Sequence, residues 1–180
     1  MAVKHVRNRK ARPPFDEEML EQAALGYAGR YATTRARLAA YLERKLRERG
    51  WSGPNDPPVR VLVERMATLG YVDDRAFATA RAAALGRRGY GERRVSDALR
   101  AAGIEEEDAA EACEDARNSA WQSALRFAER RRIGPFAAKE SDRDGREKAL
   151  AALLRAGHPL DLARRLAQAL PGEIPDLDSL

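Results

Sequence analysis

Along most of the chain apolar residues return at steps of three and four, the period of one face of an α-helix. Val59, Leu62, Met66 and Leu69 follow that step, as do Leu20, Ala23, Ala24 and Tyr27, then Phe77, Ala80 and Ala84, and finally Val95 and Leu99. Each set predicts a helix with a narrow apolar stripe. Three of the runs end alike, in "LRERGW", "LRAAGI" and "LLRAGH", so that Gly50, Gly103 and Gly157 each stand four residues after a leucine, 53 and 54 residues apart. A glycine just past an amphipathic run suits the left-handed position that closes a helix, where a Cβ would be strained. The regular interval points to a repeat architecture.

Flanking signals complete the unit. Pro57 and Pro58 precede the helix expected from residue 59, and Gly70 ends it. Asp73 or Asp74 is a natural N-cap for "RAFATARAAALG", which Gly86 would close, and Gly91 would open the next helix, carrying Val95 and Leu99. The acidic run over residues 105–115 would open a further helix, its carboxylates placed against the positive helix end. "WQSALRFAERRRIG", "REKALAALLRAG" and "PLDLARRLAQAL" supply a third set. The pattern predicts an all-α protein of three tandem three-helix repeats, elongated and curved, over residues 16–72, 73–118 and 119–170. A basic disordered tail over residues 1–15 and an acidic tail over residues 171–180 would flank them. Each repeat is too small for a core of its own, so neighbours must share stability.

Composition supports that reading and narrows the function. Ala, Leu, Arg and Glu dominate, and aromatic residues make up only 6%, a balance of helix formers. No run reaches the ~18–20 apolar residues of a membrane span, and the opening residues lack the apolar stretch of a secretory signal. A soluble, cytoplasmic protein, monomeric and without a membrane partner, is expected. The net charge of +5 equals that of residues 1–12, where Lys4, Arg7, Arg9, Lys10 and Arg12 meet no acid. The remainder is neutral but polarised: Arg30, Arg35, Arg37, Arg44, Lys45, Arg47 and Arg49 crowd one segment, and seven carboxylates crowd residues 105–115. Such polarity suits a charged partner or ordinary solvated helix faces.

No catalytic constellation stands out, and no cofactor or metal is expected. Cys113 is the single cysteine, and with only His5 and His158 it offers no metal-ligand cluster and no nucleophile pair. His158 reads as a capping or packing residue, Asp73 and Asp74 as helix caps, and Trp51 and Trp121 as core anchors. Gly89-Tyr90-Gly91 lacks the third glycine and the βαβ surroundings of a dinucleotide fingerprint. A helix-to-helix turn is the better account. It would present Arg87, Arg88, Arg93 and Arg94 around Tyr90, a patch able to grip carboxylate or phosphate. The plainer alternative pairs Arg93 and Arg94 with Glu92 and Asp97 on the surface.

Residues 70–104, "GYVDDRAFATARAAALGRRGYGERRVSDALRAAGI", resemble the signature of the RecX family, bacterial regulators of the RecA recombinase. The shared pattern is Tyr71, Asp73-Asp74, Phe77-Ala78 and Arg81, then Gly89-Tyr90-Gly91, Arg93-Arg94, Leu99 and Gly103-Ile104. The likeness runs more weakly through the first and third repeats. It implies three tandem three-helix repeats and a non-enzymatic regulator that binds RecA as a filament on single-stranded DNA. Filament growth, strand exchange and co-protease activity would be modulated, mostly by inhibition, and with them recombination, DNA repair and the SOS response. The expected partner-binding residues are Arg81, Arg87, Arg88, Tyr90, Arg93 and Arg94, with Arg37, Arg44 and Arg47 in the first repeat, for RecA or for weak direct DNA contact. The Pro-rich loop of residues 52–58 and the basic tail depart from the family's common form. The rival reading is a DNA-binding protein with helix-turn-helix-like repeats, its arginines on phosphate.

Overall fold

A computed structural model describes residues 12–176, and among these it is all-helical. Nine α-helices follow one another: α1 Glu17–Ala28, α2 Arg35–Arg49, α3 Val59–Thr68, α4 Asp74–Arg87, α5 Glu92–Arg100, α6 Glu106–Asn118, α7 Ala120–Arg131, α8 Arg143–Arg155 and α9 Leu160–Gln168. They gather in threes around three separate apolar clusters. The chain divides into two compact units, Met1–Val72 and Asp73–Leu180. No described helix is long and apolar enough to cross a membrane.

In the first unit, side-chain caps start two helices where backbone amides would otherwise lack partners. Asp16 accepts from the Met19 amide at 2.8 Å and Thr34 from the Arg37 amide at 3.2 Å. The apolar stripes meet in a core built on Leu20, Leu38, Leu42 and Met66, all fully buried. The basic tail expected over residues 1–15 falls in part on residues 1–11, outside the described residues. Its last residues are a correction to that expectation. Phe15 is buried in the first core and exchanges backbone bonds with Gly50 and Ser52, 3.0 and 2.9 Å long. Arg49 grips the Pro13 carbonyl with Nε and Nη2 at 2.9 and 2.6 Å, its guanidinium lying 4.1 Å from the Phe15 ring centroid. An apolar anchor at the tail's end outweighed its basic composition.

In the second unit, Asp73 caps α4 through the Ala76 amide at 2.8 Å, and Asp142 caps α8 through the Gly145 amide at 2.8 Å. Helices α4 to α6 enclose Ala78, Val95, Leu99 and Ala112, while α7 to α9 enclose Ala124, Phe127, Leu153 and Leu166. Tyr90 packs against both clusters. A single residue, Ser119, separates α6 from α7. Three of the glycines expected to close helices do so: Gly50, Gly103 and Gly157 have φ of 82°, 71° and 92°.

Candidate functional site

The candidate site is the turn from α4 to α5 and the surface around it. Gly86 lies inside α4 instead of ending it. The left-handed residue is Gly89, φ 76°, and the Tyr90 amide reaches back to the Leu85 carbonyl at 3.1 Å. A Cβ at Gly89 would stand 2.6 Å from the Phe127 backbone nitrogen, so close approach as well as conformation demands glycine there. Gly91 begins α5, as expected, and its amide donates to the Ala156 carbonyl at 2.9 Å.

The turn is held from outside by α7 and by the segment that joins α8 to α9. Arg126 of α7 donates through Nε to the Gly86 carbonyl at 3.2 Å, and Arg130 donates through Nη1 to the Arg88 carbonyl at 2.6 Å. His158, 4% exposed, places Nε2 3.0 Å from the Gly89 carbonyl, and its ring tilts against Phe127 at 5.7 Å between centroids. Burial pulls its pKa down, against the opposing effect of that backbone bond. Both burial and that direction favour the neutral ring, and since a carbonyl oxygen only accepts, Nε2 carries the hydrogen toward Gly89. Nδ1 is buried without a partner among the described residues.

This arrangement separates arginines that look equivalent in sequence. Arg93 donates through Nη2 to the Leu154 carbonyl at the end of α8, 3.1 Å away. Arg94 lies over the Tyr90 ring, 5.9 Å from its centroid, and Tyr90 itself is half-buried. Arg81, Arg87 and Arg88 are exposed and meet no carboxylate among the described residues. The plainer pairing with Glu92 and Asp97 does not form, since Glu92 faces Arg117 at 3.6 Å and Asp97 faces Arg100 at 3.3 Å. Arg87 and Tyr90 border a groove of about 610 Å³ that Ala82, Ala83, Ala116 and Arg126 also line.

Arg37, Arg44 and Arg47 are exposed on α2 of the first unit. Arg44 pairs with Glu48 at 2.9 Å and Arg47 with Glu43 at 3.9 Å, each one helical turn away. Hydrogen bonds from Lys45 and then Arg44 hold the Glu48 carboxyl below its usual range. Exposed pairs of this kind add little stability.

Other chemistry-bearing groups fit structural roles. Glu106, Glu107 and Asp108 occupy the first turn of α6, where carboxylates suit the helix dipole. Burial raises the Cys113 thiol, and the charge of Glu92 adds to the effect, so the reactive thiolate is disfavoured. Among the described residues no group of three or more His, Cys, Asp and Glu is placed to hold a metal ion. Sequence reasoning did not single out Arg126 or Arg130, and it read Gly157 as a helix end and His158 as a capping or packing residue without their contacts with the turn, because those contacts are distant along the chain and carry no local motif.

Comparison with known proteins gives two findings. The chain is 32% identical over 173 residues to the regulatory protein RecX of Myxococcus xanthus (strain DK1622), covering 92% of this chain and 90% of that protein. The crystal structure of RecX from Lactobacillus salivarius superposes with a TM-score of 0.65 over 84% of this chain and 94% of that one, a likeness of fold at 17% identity. No family model matches the sequence.

Proposed function

We propose a function from the premise that this chain belongs to the RecX family of regulatory proteins: it restrains the RecA recombinase by binding RecA and its filament on DNA. It acts as a monomer in the cytoplasm, without chemistry of its own, and bears on recombination, repair and the SOS response. The repeats at residues 16–72, 73–118 and 119–170 serve as its binding units.

The observation that carries this reading is the set of exposed arginines Arg81, Arg87 and Arg88 on α4 and its end, with Arg94 over Tyr90. Exposed guanidinium groups whose neighbouring carboxylates are committed elsewhere suit the carboxylates of a protein partner or the phosphates of its DNA. Complementary charge of this kind speeds encounter and sets register on a partner more than it adds raw affinity. Backbone bonds from Arg126, Arg130 and His158 hold the turn rigid, so little ordering entropy opposes binding. The test is RecA-dependent ATP hydrolysis on single-stranded DNA with a variant in which all four arginines are alanine. Loss of inhibition with an unchanged melting temperature supports the reading. A folded variant that inhibits like the parent overturns it.

A further inference from the structure

We propose that the first unit carries a binding site for single-stranded DNA, in which bases stack on a row of tyrosines ending at Tyr31 and the phosphates pass Arg30, Arg37 and Arg44. The row is built by the end of α1 and the face of α2. Tyr27 and Tyr41 stack with centroids 4.1 Å apart at an interplanar angle of 16°, and Tyr31 continues the row 5.3 Å from Tyr27, tilted by 49°. The turn after α1 fixes the backbone that carries that last ring, since the amides of Arg30 and Tyr31 both donate to the Tyr27 carbonyl, at 3.2 and 3.1 Å. At the far end Arg44 and Lys45 lie 5.5 and 5.8 Å from the Tyr41 centroid. One end of the row is thus covered by cations, and the other is open: Tyr31 is 58% exposed.

A backbone-held aromatic ring facing solvent, flanked by guanidinium groups, is what a stacking platform for unpaired bases requires. Arg37, Tyr41 and Arg44 follow one another along a single stripe of α2, at steps of four and three, while Arg30 adjoins Tyr31. Charge favours the same partner. Residues 1–72 hold 14 Lys and Arg against 8 Asp and Glu, a net of +6, whereas residues 73–180 hold 19 against 20. Five of those six charges belong to residues 1–12, so the sequence draws a polyanion to the N-terminal end of this unit. A duplex hides its base faces in its own stack, so rings in a row favour single strands.

The site deepens the reading above by giving the α2 arginines to DNA, and its test omits RecA so that the two can fail separately. Fluorescence anisotropy would follow the full chain binding a labelled oligo-dT of about 20 nucleotides, against an unlabelled duplex of equal length. Tyr31→Ala is expected to weaken binding about tenfold, as loss of one stacked base does. Tyr31→Trp should retain it, and Arg30→Ala should lower the salt slope by about 0.7. Since Tyr31 lies on the surface, circular dichroism should be the same for all three. Parental affinity of Tyr31→Ala, or equal competition by the duplex, overturns the proposal and leaves the effect on RecA to its own assay.

Discussion

Gly91 and Gly157 meet backbone to backbone, so that a Cβ built on Gly91 runs into the Gly157 carbonyl and one built on Gly157 runs into the backbone nitrogen of Arg94. The Gly91 amide donates to the Ala156 carbonyl at 2.9 Å and the Arg93 amide to Gly157 at 3.4 Å, which seals the approach. The start of α5 is thereby seated on the end of α8 without side chains between them. This gives Gly91 a steric role at a negative φ of −82°, where backbone conformation alone would admit alanine.

Gly91→Ala should therefore destabilise the second unit by about 1–3 kcal/mol, the cost of overpacking a closed contact. Gly157→Ala should cost more, since φ of 92° adds backbone strain to the clash. Urea denaturation followed by circular dichroism measures both. Gly172→Ala is a control at a positive φ of 83° with open space around it, and it should show the conformational part alone.

Sequence gave access to what is local and hid what is distant. Gly50, Gly103 and Gly157 were readable as helix ends because an amphipathic run, a leucine and a glycine lie within one turn of one another. The choice between Gly86 and Gly89 was not readable, since both follow the same run. What decided it is Phe127, whose backbone leaves no room for a Cβ at Gly89. The arginine patch was legible as a cluster of types but not as a division of tasks. Arg93 and Arg94 are neighbours in sequence, yet one caps α8 and the other lies over Tyr90.

That division predicts different phenotypes for adjacent residues. Arg93→Ala removes a charged donor from the Leu154 carbonyl and should lower stability by about 1 kcal/mol, an exposed bond being worth less than a buried one. Arg88→Ala keeps the backbone carbonyl that receives Arg130 and should leave stability unchanged within about 0.5 kcal/mol. Thermal melts of the two single variants decide this. Equal melting temperatures would show that the Arg93 bond contributes nothing.

Leu99 is 1% exposed at the centre of the α4 to α6 cluster, four residues before Gly103. Leu99→Ala should cost about 2–5 kcal/mol, the transfer term plus the cavity left behind. Leu69→Ala, at a leucine 56% exposed, should change stability little. Leu69 belongs to the stripe read from sequence with Val59, Leu62 and Met66 yet lies exposed, so denaturant midpoints for the pair test whether burial, and not a place in a stripe, sets the cost.

His158 makes stability depend on pH in a stated direction. Burial depresses its folded pKa below the ordinary value of 6.5, so the unfolded chain binds the proton more readily than the folded one. Its contribution is complete above pH 6.5, where both states are neutral, and declines as pH falls from there through the depressed folded value. Below that value both states are protonated and the loss levels off. The physical cause is the pocket beside Phe127, where the Gly89 carbonyl accepts one N–H and Nδ1 finds no partner for a second proton. His158→Gln can keep a donor toward the Gly89 carbonyl while removing the titrating ring. It should be less stable than the parent at pH 8 and lose less on acidification below pH 6.5. Urea midpoints across pH 5–8 for both proteins check this, and parallel curves would show that His158 does not titrate differently in the folded protein.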